Sequence, residues 1–331
     1  MIRPRTLEEA RGAAGSYRAG GTDLHARRRL GLEGGEIVDL RDVEEMRGIE
    51  PSGDGLRIGA MTRMSTLATA GQIAEGYPGL ALAAGSLATP QIRAVGTLGG
   101  NLLQRNRCPY YRHPAFSCFK SGGSSCPARE GDHRHGVVFD LGPCVSPHPS
   151  TLAAALLAYE ADVETGDGST IGVGELLGDG SDGRRDHLLA EGEVLVAVVL
   201  GAPWEGERAA YRRATGRALA EWPSVEAVCR LQVSDGQIDR ARLAVGGVAP
   251  VPLRRPEVED ALAGKAVEDA AGLREAALLA GRGANPLPMT GHKLALLPNL
   301  VLDAVSSAIA GDASSEVAVG EGALPAHPGR M

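Results

Sequence analysis

The sequence predicts a protein of two domains, each built from both helices and strands. Three observations support this prediction. The chain has 331 residues, a length that suits two domains. The first fifty residues have the pattern of a small β-α-β unit, and the stretch after Pro203 has that of an antiparallel sheet followed by helices. We therefore expect a boundary at Pro203, with one domain over 1–202 and another over 203–310.

Local signals place the first elements. Thr6 and Glu9 form a T-x-x-E capping box, which predicts a helix over 7–14. A short strand over 17–19 then leads into a Gly-Gly turn. The run "EIVDL" predicts a second strand over 36–40.

The rest of the first domain mixes both element types. Apolar and polar residues alternate at Leu56 and Ile58, and the pattern becomes helical after Ser65. The segment "YPGLALAAGSLATPQIR" predicts a buried helix, and "STLAAALLAYEADVET" a helix that leads into a strand. Between 104 and 149, by contrast, no periodicity is sustained and Pro, Gly and Ser are frequent. Ordered loops of this length are usually functional.

Composition excludes several classes of protein. A formal net charge of −7 predicts no nucleic-acid partner, because such a partner requires a basic face. The first residues lack the apolar stretch of a signal peptide, and no uncharged apolar run reaches the roughly 18 residues of a membrane span. We therefore expect a cytoplasmic protein without structural disulfides. The composition of 311–331 predicts a disordered tail.

Two glycine-rich turns are candidate anion sites: "AGGTDL" over 19–24 and "TLGGN" over 97–101. Glycines allow close backbone approach, and successive N–H groups can then surround an anion. Either turn alone can be a plain tight turn, whereas the two together suggest loops around one pyrophosphate. Asp23 is unsuited to binding phosphate unless it caps backbone amides and shapes the turn.

Other familiar motifs carry no function here. The run "GDGSDG" over 178–183 matches G-x-G-x-x-G, but two aspartates lie where a pyrophosphate would bind and no long strand precedes it. We interpret it as a surface loop. The sequence contains no G-x-S-x-G, H-E-x-x-H or P-loop motif, so we assign no catalytic residue.

Four of the five cysteines lie in the irregular stretch: Cys108, Cys118, Cys126 and Cys144. Such a concentration in a cytoplasmic protein indicates a metal or cluster. Zinc usually takes paired C-x2-C ligands, which are missing, and the loose spacing suits a larger body such as a four-iron cluster. Zinc and unliganded thiols remain open, since four histidines share the stretch: His113, His133, His135 and His148. Cys229, in the apolar "EAVCRL", is expected to be a core residue.

Several motifs together carry a family resemblance. In order, "AGGTDL", "LRIGA", "PQIRAVGTLGGNLLQR" and "GGVAPVPLR" resemble the FAD-binding medium subunit of the molybdenum hydroxylases, the xanthine dehydrogenase family. The resemblance covers about residues 1 to 310. The stretch "NLLQRNRCPYYRHPAFSCFKSGGSSCPA", with Cys144 before "HPS", is similar to the subgroup of aldehyde oxidoreductases and, more distantly, 4-hydroxybenzoyl-CoA reductase, whose flavin subunits carry an additional [4Fe–4S] cluster.

The resemblance implies an α+β fold. The first domain would be an FAD-binding domain of the vanillyl-alcohol-oxidase type, with subdomains over 1–54 and 55–202 and the cysteine-rich loop over 104–149. The second, over 203–310, would be a smaller domain with an antiparallel sheet and helices.

The resemblance also implies the ligands of two cofactors. It makes 19–24 and 97–101 the two loops around the FAD pyrophosphate. The implied FAD-binding residues are Ala19, Gly20, Gly21, Thr22, Asp23, Leu24, Thr97, Gly99, Gly100, Asn101 and Arg213. The implied ligands of the [4Fe–4S] cluster are Cys108, Cys118, Cys126 and Cys144. The chain departs from the family pattern at Ala94, Thr151 and Arg213, where the family usually has Asn, Asp and Lys.

The implied function is that of an oxidoreductase subunit. A molybdopterin-binding large subunit would oxidise an aldehyde or N-heterocycle. Electrons would pass through [2Fe–2S] clusters of a small subunit to FAD in this chain, and then to an external acceptor. In a reductase-type complex, the alternative within the family, electrons would flow in the opposite direction. Two other functions compete with this one: a self-sufficient FAD-dependent oxidase, and a zinc or scaffold module without redox chemistry.

Overall fold

The computed structural model describes residues 1–216, 218 and 220–311. The tail predicted over 311–331 lies outside the described residues, apart from Gly311.

The N-terminal subdomain is a two-stranded parallel sheet with two short helices. Its elements are α1 (Leu7–Arg11), β1 (Ser16–Arg18), α2 (Leu24–Arg29) and β2 (Ile37–Asp39). Thr6 caps α1, because its Oγ1 accepts a hydrogen bond from the Glu9 N–H at 3.2 Å. The predicted helix therefore begins as expected, but it ends early, with Gly12 at its C-cap.

The second subdomain contains a five-stranded antiparallel sheet in the order β3-β4-β7-β5-β6. Its strands are β3 (Ile49–Ser52), β4 (Gly55–Gly59), β5 (Asp162–Thr165), β6 (Thr170–Gly172) and β7 (Leu195–Leu200). Its helices are α3 (Met64–Thr69), α4 (Gly71–Gly76), α5 (Pro78–Ser86), α6 (Pro90–Val95), α7 (Leu98–Leu102), α8 (Thr151–Ala158) and α9 (Val173–Leu177).

The sequence predicted a single buried helix where the structure has two, α5 and α6. The backbone breaks between α5 and α6, where Ala88 has a φ of 53°. Thr89 then caps α6, its Oγ1 accepting from the Ile92 N–H at 3.3 Å, and Pro90 opens the helix. A cap and a proline at adjacent positions define a helix start, so the chain turns there.

The cysteine-rich stretch is irregular, as predicted. Between Leu102 and Thr151 its regular elements are two short 3₁₀ turns, Phe119–Ser121 and Pro127–Arg129. Backbone turns and side chains together hold it, as where the Arg112 N–H donates to the Cys108 carbonyl at 3.0 Å and Asn106 Oδ1 accepts from the Cys108 N–H at 2.9 Å.

The C-terminal domain is a four-stranded antiparallel sheet in the order β11-β10-β9-β8, covered by three helices. Its elements are β8 (Glu207–Ala214), β9 (Val225–Ser234), β10 (Gln237–Gly246), β11 (Leu253–Arg254), α10 (Pro256–Leu262), α11 (Ala270–Leu278) and α12 (Gly291–Ala310). Within the described residues, α12 is the one helix long and apolar enough to cross a membrane, judged by length and composition. Eight of its residues are buried, and it packs on β8 and β9 as a core helix does.

The two domains share packed surfaces. Tyr211, Val228 and Ala244 of the second sheet belong to the first domain's hydrophobic core. A buried ion pair lies at the same junction: Arg230 donates to Glu207 Oε2 at 2.7 Å, and the Tyr159 hydroxyl of the first domain donates to Glu207 Oε1 at 2.5 Å. The predicted α+β class and the antiparallel sheet of the second domain are confirmed.

We expect the substitution Glu207→Ala to destabilise the whole protein, because it leaves the Arg230 guanidinium buried without its carboxylate. The loss should be about 3 kcal/mol in the free energy of unfolding. Urea unfolding followed by circular dichroism measures it, with the exposed Glu275→Ala as control. A difference between the two variants below about 1 kcal/mol would show that the pair contributes little.

Candidate functional site

A cavity of about 1010 Å³ lies between the N-terminal subdomain and the larger subdomain. Both glycine-rich loops line it, together with parts of 185–195 and 220–223. All the residues predicted to bind FAD are in its wall: Ala19, Gly20, Gly21, Thr22, Asp23, Leu24, Thr97, Gly99, Gly100, Asn101 and Arg213. The structure therefore brings the two loops to one place, and their roles as ligands stay a prediction.

The first loop, residues 19–24, runs from the end of β1 into α2. At Gly20 a Cβ atom would lie 2.2 Å from the Val95 carbonyl oxygen, so only glycine fits. Gly21 has a φ of 75°, which favours glycine. Within the described part of the chain, the backbone N–H groups of 20–24 have no hydrogen-bond acceptor. The loop therefore offers successive free donors to an anion in the cavity.

In the second loop, residues 97–101, the N–H groups of 98–101 are already occupied. Thr97 Oγ1 accepts from the Gly100 N–H at 3.2 Å and caps α7, while the Gly99 N–H donates to the Ala60 carbonyl at 2.8 Å. The Asn101 N–H donates to the Thr97 carbonyl at 2.9 Å. Only the first loop thus has open N–H groups, and anion binding there stays a prediction, whereas the second loop forms a wall of the cavity.

Asp23 joins the first loop to the cysteine-rich stretch. Its carboxylate lies 2.7 Å from Arg112 Nη2 and 3.0 Å from Arg107 Nη1, and it accepts from the Arg105 N–H at 3.2 Å. Arg27 of α2 donates to it at 3.0 Å. Asp23 makes no cap hydrogen bond to its own helix. It does accept a backbone amide, as the sequence suggested, but the amide belongs to another segment.

The charge of Asp23 is fixed by these partners. Burial alone would raise the pKa of this carboxyl, but the charge of Arg107 and the hydrogen bond from Arg112 outweigh burial. The pKa therefore lies below its ordinary value. Asp23 is ionised at neutral pH and holds the arginines in place.

The four cysteines of the irregular stretch line one small, separate cavity: Cys108, Cys118, Cys126 and Cys144. Burial raises the pKa of the Cys108 thiol and raises that of Cys144 to about 11. Cys229 lies in the core of the second domain. The structure therefore separates this cysteine from the other four, as expected.

Three of the four histidines that kept zinc open make other contacts through their side chains. His133 Nδ1 lies 2.9 Å from the Gly131 carbonyl oxygen, His148 Nδ1 accepts from the Ser150 N–H at 3.3 Å, and His113 Nδ1 accepts from the Ala115 N–H at 3.2 Å. None of these histidines lines the cysteine cavity. In the described part of the chain, no group of three or more His, Cys, Asp or Glu is arranged to hold a single metal ion.

A buried ion pair separates the two cavities. Lys120 lines the cysteine cavity, Asp186 lines the large cavity, and Lys120 Nζ lies 2.8 Å from Asp186 Oδ1. Arg105 Nε approaches the other oxygen at 2.7 Å. Burial would raise the pKa of Asp186, but the charges of Lys120 and Arg105 keep it below its ordinary value. Sequence reasoning missed all three residues, because no motif marks them.

Comparisons with known proteins identify the family. A profile described as the FAD binding domain in molybdopterin dehydrogenase matches residues 1–203, more than half of the chain. A second, the CO dehydrogenase flavoprotein C-terminal domain, matches residues 209–294. The chain belongs to the FAD-binding subunits of the molybdenum hydroxylases. This assignment confirms the resemblance at the level of the family and of FAD.

Individual relatives agree with this assignment. The chain is similar to the aldehyde oxidoreductase FAD-binding subunit PaoB of Escherichia coli (strain K12), with 34% identity over 75% of this chain and 79% of the relative. It is 26% identical to the carbon monoxide dehydrogenase medium chain of Hydrogenophaga pseudoflava, over 70% of this chain and 65% of that one. The solved structure of carbon monoxide dehydrogenase from Hydrogenophaga pseudoflava superposes with a TM-score of 0.73 and 25% identity, covering 94% of this chain and 96% of that one.

The residues present fit FAD. Its pyrophosphate is an anion, and the free N–H groups of the first loop are the donors that such an anion requires. Charge agrees with this placement, because Arg27, Arg107 and Arg112 surround the Asp23 carboxylate beside that loop.

Two of the departures from the family pattern, Thr151 and Arg213, line the large cavity, but their side chains bond to other residues of the protein. Arg213 Nη1 donates to the Ser86 carbonyl at 2.5 Å, and Nη2 to the Glu221 carbonyl. Thr151 Oγ1 donates to Glu226 Oε2 at 2.8 Å. Glu226 is buried, and burial raises its pKa. Sequence reasoning missed it, although a lone glutamate in the apolar "SVEAVCRL" was a usable signal.

We expect the substitution Gly20→Ala to weaken FAD binding, because the new methyl group would collide with the Val95 carbonyl. The cost should be about 1–3 kcal/mol, which is roughly ten- to hundredfold in the dissociation constant. Fluorescence titration of the apoprotein with FAD measures it. Gly34→Ala is the control, since nothing lies within 4 Å of a Cβ there. Equal affinity of the two variants would place the pyrophosphate elsewhere.

We expect Asp23→Asn to lower the free energy of unfolding by roughly 1–3 kcal/mol at pH 7, because three arginines lose their shared counter-charge. The folded-state pKa of Asp23 is depressed, so its contribution is present above the unfolded value and is lost as the pH falls through the folded one. Urea unfolding of both proteins from pH 7 to pH 3 should show the difference shrinking at the acid end. A difference that grows on acidification would contradict the role of ionised Asp23 as their counter-charge. The control is Asp54→Asn, because Asp54 is exposed.

Proposed function

We propose that this chain is the electron-transfer subunit of a molybdopterin-dependent dehydrogenase and that it carries both FAD and a [4Fe–4S] cluster. The observation that carries the proposal is the pair of adjacent cavities. One is lined by both glycine-rich loops, the other by four cysteines, and the Lys120–Asp186 ion pair joins a residue of one wall to a residue of the other.

Cys108, Cys118, Cys126 and Cys144 would hold the cluster as thiolates. Four sulfurs that share one zinc ion approach each other closely, since each Zn–S bond is only about 2.3 Å. Sulfurs around a multi-iron cluster lie further apart. All four cysteines line one cavity, and this supports a ligand that they share.

When bound, FAD exchanges one electron with iron–sulfur clusters and one or two with other acceptors. The chain's own residues bind and position it. The 20–24 amides would receive the pyrophosphate, with Thr22 in the same loop. Leu24, Thr97, Gly99, Gly100 and Asn101 would shape the cavity, and Arg213 would fix the Ser86 carbonyl in its wall. No residue of this chain needs to act as general acid or base.

The partners follow from the family. We propose a molybdopterin-binding large subunit that oxidises an aldehyde or N-heterocycle, a [2Fe–2S] small subunit that delivers electrons, and an external acceptor. The similarity to an aldehyde oxidoreductase subunit supports an aldehyde as substrate of the complex. We also propose the division at Pro203 into domains over 1–202 and 203–310, and a cytoplasmic location.

The first experiment is the visible absorption spectrum of the anaerobically purified chain, with iron and acid-labile sulfide assays. Flavin bands above a broad shoulder near roughly 400 nm, with about four irons per flavin, are expected for FAD and one four-iron cluster. Stoichiometric zinc with flavin would refute the cluster. Bleaching of the flavin in the isolated chain by an aldehyde would favour a self-sufficient oxidase and refute the subunit role.

We expect the Cys126→Ala variant to lose its iron, because the cluster would lack one of its four thiolates. The variant should retain FAD, because the glycine-rich loop over 19–24 is unchanged. The iron-to-flavin ratio of the purified variant measures this. Cys229→Ala, which removes the one cysteine outside the set, is the matched control and should keep the wild-type ratio. A wild-type ratio in Cys126→Ala would show that this cysteine is not a ligand.

A further inference from the structure

We propose that Lys120 raises the reduction potential of the cluster held by the four cysteines, and that Asp186 limits this effect. The inference rests on the proposed cluster and deepens it. Lys120 is almost fully buried, with 5% of its side chain exposed, and it follows Cys118 in the wall of the cysteine cavity. Its Nζ donates to the Arg185 carbonyl at 2.5 Å and pairs with Asp186 at 2.8 Å. These two contacts anchor the ammonium group.

The charge around the cavity is unbalanced. Among the described residues that line it, Lys120 carries the one formally charged side chain besides the cysteine thiols. Asp186 does not neutralise it fully, because the same carboxylate also binds Arg105 at 2.7 Å. Two cations therefore share one buried carboxylate. Lys120 and Cys144 line this cavity together, and both also line a neighbouring one.

This excess charge favours the reduced cluster. Reduction adds one electron, and hence one negative charge, to a cluster that is already anionic with four thiolate ligands. A cation fixed beside it in a poorly screened site stabilises the added charge and raises the potential. Asp186 acts in the opposite direction, since its negative charge opposes the added electron. The two residues thus shift the potential with opposite signs.

The test is a potentiometric titration of the cluster, followed by electron paramagnetic resonance, in the full chain purified anaerobically with its cofactors. Lys120→Met should lower the midpoint potential, and Lys120→Arg, which keeps the charge, should stay near the wild-type value. Asp186→Asn should raise the potential. Lys265→Met removes a lysine from the second domain, where it lies 4.0 Å from Asp269, and should change nothing.

The outcomes separate this inference from the proposed function. A wild-type chain without iron refutes the cluster and this inference with it. If every variant contains iron and Lys120→Met has the same midpoint potential as the wild type, the electrostatic role of Lys120 is refuted. The proposed cluster is then unaffected. If Lys120→Met loses its iron, Asp186→Asn decides: a raised potential supports the inference, and an unchanged one overturns it.

Discussion

The arrangement of both sites depends on the contacts of one carboxylate, Asp23. It belongs to the first glycine-rich loop, yet most of its partners lie at the start of the cysteine-rich stretch: Arg107, Arg112 and the Arg105 amide. A charged group held by three guanidinium groups and an amide has few alternative positions. The contact therefore fixes where the glycine-rich turn lies relative to the first cysteine. It also reconciles the aspartate with the anion site proposed for this loop, because the surrounding arginines outnumber it.

Short-range patterns predicted the parts of the structure that depend on neighbouring residues. The capping box at Thr6, the strand that precedes Gly20 and the irregular stretch with its four cysteines are all visible in the sequence, because caps, turns and periodicity act over a few positions. The pattern of apolar residues gave a wrong prediction where the backbone conformation of one residue and a helix cap interrupted it. Ala88 with its positive φ, followed by Thr89 as a cap, divided an apolar run that otherwise suits one helix.

The electrostatic partners of the sites could not be predicted, because they are distant in sequence. Asp23 and the Arg105 amide are 82 residues apart, and Lys120 and the Arg185 carbonyl are 65 apart. An isolated lysine or aspartate on an irregular segment has no pattern that distinguishes a buried pair from a solvated charge. The occupied N–H groups of the second glycine loop are a similar case. Ala60, which accepts from Gly99, is brought there by β4 and the fold around it.

Both sites bury more positive than negative charge around a carboxylate. Asp23 has three arginines around it, and Asp186 has Lys120 and Arg105. Buried charges without full compensation destabilise a folded chain, since desolvation is costly. Under the proposed function, an anion at each site would offset this cost, because the pyrophosphate of FAD and a thiolate-ligated cluster are both anions. Ligands that bind only the folded state stabilise it by mass action. Under the proposed function, the excess charge links folding of the cysteine-rich stretch to cofactor binding, and Asp23 connects that stretch to the first glycine-rich loop.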